Sequence, residues 1–552
     1  MTAASASSDN RSTAGSDAPA PAAAPGKAAG GPPPGPPFGP RLAIGLLGVL
    51  LAAMVAGLSN RVPGLLEADI QGHLGISADA ASWLHSIYAA GELAAMPFAS
   101  WFAITFSLRR FHLVMLFSTL ALGLLVPFIH SLEVLMVVRL LQGLSAGALI
   151  PLLMMAALRF LPPPIRLHGL ALYAMTATLA PNVALWLASW SIDIMQDWRW
   201  AFWQIIPIGL LAAALVGYGI PKLPVILPRL KQANWLGMAL GMRGLVLLAL
   251  GLGEAVRLDW LVSPLISALL LAGGGLVLLY LITEWFHPAP FMKLQMLGRR
   301  NLGLGFSVFF VLLLTLSTGV VLPVQALEQM HGFTMEQLYS IGLLVGLPQL
   351  VLGSVVAILL YQRWVDARYL FALGLLSIAA ACFYSAGLTP EWEVRQFRTP
   401  LLLQMVGQPL AVVSMLFLGT SVVAPMEGPF VAGIINALRA FGTVVSGALI
   451  SELIQQRSAY HFDRLLADAA VFLHSADATL ASVLPGQSAV LAIADVFYLF
   501  GWIALLLIPL VLCLQKIPAP VISRPPRVEP RPPTVNASVD TATGGGSKPI
   551  PA

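Results

Sequence analysis

Charged residues are scarce in this chain, and their scarcity is the first clue to its environment. Of 552 residues, only 10% are Asp, Glu, Lys or Arg, whereas 58% are hydrophobic. The mean hydropathy is +0.84, well above the range of soluble globular domains. The composition therefore excludes a soluble domain and predicts an integral membrane protein.

Cysteine is also rare, with two residues in the whole chain. Cys382 and Cys513 lie in apolar runs far apart, so neither a disulfide framework nor a thiolate metal site is expected. The nine histidines show no metal-ligand spacing. A phosphate-binding loop of the Gly-x-x-x-x-Gly-Lys-Ser/Thr type is absent, which argues against ATP-driven pumping. We expect no cofactor.

The basic residues do not form a continuous stripe, although the formal net charge is +5. They are scattered through short loops between apolar runs, a distribution that argues against nucleic acid as a partner. By the positive-inside rule, the loops that carry them face the cytoplasm, together with both chain termini. The basic residues of these alternate loops are Arg109, Arg110, Arg159, Arg166, Lys222, Arg229, Lys231, Lys293, Arg299, Arg300, Arg363 and Arg368.

Apolar runs long enough to cross a bilayer recur along the chain. A helix needs about 20 residues to span the hydrocarbon core, and the shorter alternating segments of a β-barrel are absent. The runs predict fourteen membrane-spanning helices, at residues 42–59, 82–103, 111–129, 134–157, 169–189, 200–219, 235–253, 263–283, 303–323, 338–360, 369–388, 400–420, 429–451 and 490–514.

Three further segments lack the character of a span. Residues 1–40 and 517–552 are rich in Pro, Ala, Gly and Ser, which predicts disordered cytoplasmic tails. Residues 452–489 are polar and amphipathic. We expect this segment to be an outward helical excursion before the last span.

An acidic residue lies inside the second predicted span, in the run "SIYAAGELAAMPFASW" (residues 86–101). A carboxylate at this depth costs several kcal/mol, so it indicates a functional site. Helical spacing places His85, Tyr88 and Glu92 on one face. In one interpretation Glu92 is structural, either neutral or hydrogen-bonded to a neighbouring helix. In the other it binds a proton, with an affinity adjusted by a cation such as Arg139 or Arg439.

Spans 4 and 5 add polar residues at similar depth. Arg139 and Gln142 share one stripe of span 4 and need a polar interior to face, unless the arginine extends to the headgroups. In span 5, Pro181 and Asn182 are expected to interrupt the helix beside a cavity.

Residues 143–147 read "GLSAG" and match the Gly-x-Ser-x-Gly pattern of hydrolases. That mechanism needs a strand-to-helix elbow, whereas Ser145 lies in the middle of a predicted helix. The same residues read as Gly-x-x-x-Gly, which lets two membrane helices approach closely. We therefore interpret the motif as a packing site and expect no enzymatic activity.

Several motifs together resemble a known family. They are Arg139-Leu-Leu-Gln142-Gly143, Ala180-Pro181, Asp197-Trp-Arg-Trp, Pro207-Ile-Gly209 and the run "NALRAFGTVVSGALI" at residues 436–450. In this order and spacing they resemble the fourteen-span drug:proton antiporters of the major facilitator superfamily, the EmrB/QacA type. The resemblance covers about residues 41–515.

The resemblance implies an all-α polytopic membrane protein with the major facilitator fold. Two six-helix bundles, at residues 41–220 and 301–516, would surround a cavity, with two inserted helices at residues 221–300. It also implies alternating access and proton-coupled export of lipophilic or amphipathic small molecules across a bacterial cytoplasmic membrane, with the proton gradient as energy source. By analogy, a periplasmic adaptor and an outer-membrane channel are candidate partners.

The chain departs from the pattern of this family in three places. In span 5, the usual Gly-Pro-x-x-Gly-Gly has become Ala180-Pro181-Asn182-Val183-Ala184-Leu185. In the loop between spans 2 and 3, Ser100, Ile104, Thr105 and Ser107 replace the usual Gly, Asp, Arg and second Gly. In span 1, Met54 stands where many members carry Asp. Because that acid is missing, Glu92 becomes the main candidate for proton binding.

The resemblance and the residues together define three groups of candidates. For proton coupling they are Glu92, Arg139 and His85. For the substrate cavity they are Tyr88, Gln142, Asn182, Trp186, Gln204, Gln349, Gln404, Gln408, Asn436 and Arg439. For gating they are Arg109, Arg110, Pro181, Asp366 and Arg368.

Two alternatives to drug export remain open at this stage. Apolar walls with scattered amides suit amphipathic compounds better than sugars. One alternative is a dedicated exporter of an endogenous metabolite or siderophore on the same fold. The second is a non-transporting receptor or scaffold, for which the altered loop between spans 2 and 3 is the best argument.

Overall fold

The computed structural model of the chain describes residues 38–424, 427–472 and 478–519. Within these ranges fourteen helices are long and apolar enough to cross a membrane, and no strand is present. The predicted all-α fold is therefore confirmed. Nearly all of the two expected tails, residues 1–40 and 517–552, lies outside the described residues.

Seventeen α-helical segments make up the fold, and short 3₁₀ or π turns extend or connect some of them. The first half contains α1 (Pro40–Leu65), α2 (Glu67–Leu74), α3 (Ala78–Phe106), α4 (Leu108–Leu125), α5 (Leu132–Phe160), α6 (Pro163–Ser189), α7 (Trp200–Trp203) and α8 (Ile205–Gly219). The inserted pair is α9 (Trp235–Gly253) and α10 (Pro264–Phe286). The second half contains α11 (Arg300–Leu316), α12 (Val321–His331), α13 (Met335–Leu360), α14 (Ala367–Ser385), α15 (Val394–Thr420), α16 (Gly428–Phe472) and α17 (Ala478–Leu512).

Glycines set the closest helix contact in the first half. A Cβ at Gly143 or Gly147 of α5 would collide with the α3 backbone, at Tyr88 and Glu92 respectively. The Gly-x-x-x-Gly interpretation of residues 143–147 is therefore confirmed, and Ser145 lies within a helix. This contact holds the Glu92 backbone directly against α5.

The two halves meet mainly along two helix pairs, and α6 also contacts α15, and α5 also contacts α16. Helix α3 packs against α16, and α6 packs against α13. At the second contact, Gly342 and Gly346 of α13 leave room for Asn182 of α6. The inserted helices pack on each other, and α9 also contacts both α3 and α16. The inserted pair therefore lies beside the α3–α16 contact between the halves.

Two helices continue where the sequence predicted an interruption. Helix α6 runs through Pro181 to Ser189, so the expectation of a helix break there is wrong. Neighbouring helices allow a membrane helix to tolerate the one hydrogen bond that proline removes. Helix α16 continues for 45 residues, so the described part of the 452–489 excursion extends the two flanking helices.

The α3–α5 contact predicts a sharp difference between two glycine-to-alanine variants. Gly147→Ala inserts a methyl group against the Glu92 backbone and should lower the free energy of unfolding by about 1–3 kcal/mol through overpacking. Gly274 in α10 has open space around it, so Gly274→Ala should leave stability unchanged or raise it slightly. Thermal unfolding of the purified variants in detergent measures both. Equal midpoints for the two variants would contradict the packing interpretation.

Candidate transport site

A cavity of about 260 Å³ lies where α1, α3, α9 and α16 meet. We call it the Glu92 cavity. Its polar and charged lining includes Asn60, Arg61, His85, Glu92 and Arg439. Three of the residues predicted from the sequence, His85, Glu92 and Arg439, therefore line the same cavity. It joins the two halves, because Arg439 belongs to α16 and the other four belong to α1 and α3.

Glu92 lies part-buried at the edge of this cavity. The charges that act on its carboxylate come from Arg61 and Arg439. Within the described part of the chain, no side chain donates a hydrogen bond to Glu92 or forms an ion pair with it. A structural role that depends on a hydrogen bond to a neighbouring helix is thus not observed. The carboxylate is accessible from the cavity and is balanced by two cations at longer range.

Arg61 was missed by the sequence reasoning. The predicted first span ended at residue 59, which placed Arg61 in an outward loop, but α1 continues to Leu65. The mostly apolar run at residues 62–66 was the signal that could have placed Arg61 inside the span. Apolar residues on both sides of a single charge indicate that the span continues past it. The Arg61 side chain also donates to the carbonyl of Gly57, at 3.1 Å.

Arg139 anchors a separate buried network next to the cavity. It is 3% exposed, so the alternative that it extends to the lipid headgroups is not observed. Its guanidinium donates to Oδ1 of Asn60 at 2.6 Å and to Oε1 of Gln142 at 2.8 Å. It also lies 4.4 Å from the centre of the Tyr88 ring. Arg139 therefore reaches the cavity through Asn60 rather than by an ion pair with Glu92.

The inserted helices contribute a carboxylate of their own. Glu254, at the end of α9, is fully buried. It accepts hydrogen bonds from Ser82 at 2.9 Å and Ser86 at 2.6 Å on α3. Arg257 pairs with Glu254 at 2.8 Å and with Asp79 at 2.6 Å. These bonds fasten the inserted pair to α3 beside the cavity.

The second half holds a relay of buried amides instead of cavity-lining groups. Gln349 donates to Gln408 at 2.9 Å, Gln408 donates to Gln404 at 3.2 Å, and Gln404 donates to Thr318 at 3.2 Å. None of the three glutamines lines the Glu92 cavity. They bond to one another inside the second bundle, although Oε1 of Gln349 has no hydrogen-bond partner among the described residues.

The other predicted cavity residues are dispersed. Asn436 accepts a hydrogen bond from Tyr173 at 2.9 Å and so links the two halves. Asn182 is packed at the α6–α13 contact. Gln204 donates to the carbonyl of Ala201 at 3.2 Å, and Trp186 is 42% exposed. None of these four lines the Glu92 cavity.

The predicted gating residues form equivalent contacts in the two halves. At the start of α4, Arg109 donates to the carbonyl of Ile220, just after α8, at 3.5 Å. At the start of α14, Arg368 donates to the carbonyl of Leu514, just after α17, at 3.2 Å. In both halves an arginine at the start of the third spanning helix therefore binds the end of the last one. Arg110 makes no such contact and is exposed.

The altered loop between α3 and α4 forms hydrogen bonds with the linker that follows α8. Ser107 has a φ of +75°, a conformation that favours glycine. Its hydroxyl accepts a hydrogen bond from the N–H of Leu223 at 3.2 Å, and the carbonyl of Thr105 accepts one from Ile226 at 2.9 Å. The replaced residues thus bind the linker that follows α8.

No metal ligands are grouped in the described residues: no three His, Cys, Asp or Glu side chains lie close enough to hold an ion. The titratable and charged groups that line the Glu92 cavity are one carboxylate, two arginines and one histidine.

The Arg139 network predicts that lysine cannot replace this arginine. A lysine keeps the charge but cannot present two fixed N–H groups to Asn60 and Gln142 together. Arg139→Lys should therefore lower the free energy of unfolding by about 2 kcal/mol, because one buried amide loses its partner. Arg363→Lys, at an exposed position, should change little. Thermal unfolding in detergent compares the two variants, and equal effects would argue against the network.

The contact between Asp366 and Arg368 predicts a pH-dependent contribution to stability. Burial opposes ionisation of Asp366, but hydrogen bonds from Arg368 outweigh it, so the pKa of the Asp366 carboxyl lies below its ordinary value. A lowered folded-state pKa gives stability that is present above the ordinary pKa of about 4 and is lost as the pH falls through the lower value. Asp366→Asn should therefore cost about 1 kcal/mol or less at neutral pH.

The measurement is the midpoint of thermal unfolding as a function of pH. The difference between the parent and Asp366→Asn should shrink as the solution is acidified. Asp259→Asn, at an exposed loop position, serves as the control for removing a carboxylate. If the difference in unfolding midpoint between the parent and Asp366→Asn stays constant down to acidic pH, the stabilising contact between ionised Asp366 and Arg368 is refuted.

Two six-helix bundles with an inserted pair and a cavity between the halves define a polytopic transporter. Residues 49–447 match the Major Facilitator Superfamily. The chain belongs to this superfamily, and it is a multi-pass membrane transporter.

Relatives and solved structures agree with this assignment. The chain is 25% identical over 434 residues to the multidrug export protein EmrB of Haemophilus influenzae, covering 76% of this chain and 82% of the relative. It is 25% identical over 431 residues to the fatty acid resistance protein FarB of Neisseria gonorrhoeae, covering 75% and 81%. The resemblance to EmrB-type proteins is thus confirmed. The solved proton:xylose symporter XylE has the same fold, with a TM-score of 0.54 and 12% identity over 86% of this chain and 96% of its own.

Proposed function

We propose that this protein exports lipophilic or amphipathic compounds in exchange for protons. The observation that carries the proposal is the set of charges in the Glu92 cavity. One carboxylate and one cation, Glu92 and Arg61, belong to the first half, and a second cation, Arg439, belongs to the second half. A proton taken up by Glu92 therefore changes the electrostatic attraction between the halves.

The physical basis is the low dielectric of a membrane interior, where charges act strongly on one another. Ionised Glu92 attracts Arg439 across the cavity and offsets its repulsion from Arg61. Protonation removes this attraction and leaves two cations facing each other, which favours separation of the halves at this end. Glu92 thus binds the proton, and protonation shifts the populations of the two alternating-access states.

Arg61 and Arg439 adjust the proton affinity of Glu92 in this scheme. Arg139 acts one step away, by holding Asn60 at the cavity wall. His85 faces the same cavity and is a candidate second proton acceptor. The energy source is the proton gradient, and no cofactor is required.

The orientation follows from the basic loops. We assign the ends that carry Arg109, Arg110 and Arg368 to the cytoplasm, together with both chain termini. The Glu92 cavity then lies toward the outer side, near Arg61 and Glu254. The location is the cytoplasmic membrane of a bacterium, and a periplasmic adaptor with an outer-membrane channel is the partner set suggested by analogy with EmrB-type proteins.

A dedicated exporter of one endogenous metabolite or siderophore is the second candidate. Seven of the fifteen residues that line the Glu92 cavity are polar or charged, and this observation favours it, because fixed polar groups can recognise one compound. The apolar residues of the same lining, such as Met96 and Val444, favour the broader substrate range, because apolar contacts select only weakly among compounds. A receptor or scaffold without transport does not fit a member of this transporter superfamily.

Substitution of Glu92 tests the proposal directly. Cells that express the protein are loaded with the uncharged lipophilic dye Nile red. Its efflux is followed after an added energy source has restored the proton gradient. Glu92→Gln imitates the protonated state permanently, so proton-driven efflux should fall by roughly tenfold or more. Glu336→Gln, at an exposed position in the first turn of α13, should transport at the parent rate.

Two readouts complete this experiment. Collapse of the proton gradient should stop efflux by the parent, and thermal unfolding of purified Glu92→Gln should show a folded protein. The proposal is wrong if Glu92→Gln exports the dye at the parent rate with unchanged pH dependence.

A further inference from the structure

A second and larger pocket lies on another side of α3. It has a volume of about 660 Å³ and is formed by α3, α4, α5, α9 and the linker after α8. We call it the lateral groove. Its wall is almost wholly apolar and includes the aromatic rings of Phe98, Phe102, Phe106 and Phe111. Arg110 is the one charged residue among those that line it.

The lateral groove opens toward the surface that lipid covers. Val114 on its rim is 57% exposed, and Phe117 and Leu124 of the same helix are 49% and 46% exposed. In a membrane protein, large exposed apolar side chains on a spanning helix face lipid tails. Arg110 lies at the start of α4, at the end that we assign to the cytoplasm. The groove therefore has an apolar body at bilayer depth and a cation near the headgroups.

The geometry points to one class of ligand, a single-chain amphipathic anion. We propose that the lateral groove binds such a molecule from the cytoplasmic leaflet, with its carboxylate at Arg110 and its tail along the aromatic wall, before transfer to the Glu92 cavity. This inference rests on the proposed export function and specifies its substrate class.

Arg110 is suited to this role because it is not used elsewhere. Within the described residues its guanidinium forms no hydrogen bond and no ion pair, whereas the adjacent Arg109 binds the backbone after α8. A guanidinium without a partner favours a carboxylate, which it can bind by two parallel hydrogen bonds. Cationic compounds would find no partner in this groove.

The charge of the Glu92 cavity independently favours anions. Two arginines line that cavity against one carboxylate, so its charge is positive in either protonation state of Glu92. When Glu92 is protonated, Arg61 and Arg439 are left with no acidic neighbour in the cavity lining. An anionic headgroup can then take the place of the lost carboxylate charge.

The two pockets are neighbours along the same helices. On α3, Ala95 and Ala99 line the lateral groove, whereas Met96 lines the Glu92 cavity. On α9, Met242 lines the groove, and Ala249 lines the cavity. The contact of α3 with α9 thus separates the two pockets.

A binding experiment with a matched pair of probes tests this inference. The full-length transporter is placed in phosphatidylcholine nanodiscs, and a pyrene-labelled fatty acid or the corresponding alcohol is added. Energy transfer from tryptophan reports binding, since Trp101 packs 5.2 Å from Phe102 of the groove. The acid should bind about tenfold more tightly than the alcohol, the factor expected for one charge-assisted hydrogen bond.

Three variants test separately how the charge of Arg110 and the shape of the lateral groove affect binding of the probes. Arg110→Gln should lower the affinity for the acid to that for the alcohol, whereas Arg363→Gln, at an exposed position of the equivalent loop in the second half, should not. Val114→Trp narrows the mouth of the groove and should weaken both probes. Equal binding of acid and alcohol by the parent, or unchanged binding of the acid by Arg110→Gln, would overturn the proposal. Full displacement of the acid by added phosphatidylglycerol would identify a phospholipid site and also overturn it.

Failure of this inference is distinguishable from failure of the proposed function. Nile red carries no charge, so its proton-driven efflux by the parent reports the export function independently of any preference of the groove for an anion. Export of Nile red by a parent that shows no preference for the acid would reject the groove alone. Absence of proton-driven efflux from the parent would reject the proposed function, whatever the groove binds.

Discussion

A charge buried within a membrane protein must be balanced by other charges or hydrogen bonds, and this requirement organises the interior of the molecule. Arg139 is satisfied by Asn60 and Gln142, and Glu254 by two serines and Arg257. Glu92 is different, because its balancing charges come from both halves of the protein and none is bonded to it. Balance at Glu92 therefore depends on how the halves are arranged, which is what a conformational switch requires.

The stable contacts lie mainly within each half, so the charge balance at Glu92 can change when the halves move. Gly143 and Gly147 fix the α3 backbone against α5, so the position of Glu92 within the first half is rigid. The bonds of Arg109 and Arg368 join the third and last spanning helices within each half. Across the halves the connections are sparser, and one of them is the hydrogen bond from Tyr173 to Asn436. Rigid halves with few bonds between them favour a rigid-body change over local distortion.

Much of the fold and part of the site could be predicted from the sequence. The number of spans followed from apolar length, and the common face of His85 and Glu92 followed from helical spacing. Arg61 was missed because an apolar run was taken to end at its first charge. The partners of Glu254 could not be found at all, since Ser86 lies 168 residues away along the chain. Such pairs depend on how α9 packs against α3, which no local pattern encodes.

The inserted helices lie beside the Glu92 cavity and form part of the environment of its charges. Glu254 fastens α9 to α3 one turn from His85, and α9 in turn contacts α16 of the second half. The inserted pair therefore covers the junction of the halves on the side where Glu92 lies, and it shields this carboxylate from lipid. A low dielectric strengthens every charge interaction in the cavity. In the mechanism we propose, this environment lets one carboxylate between two arginines link proton uptake to the movement of the halves.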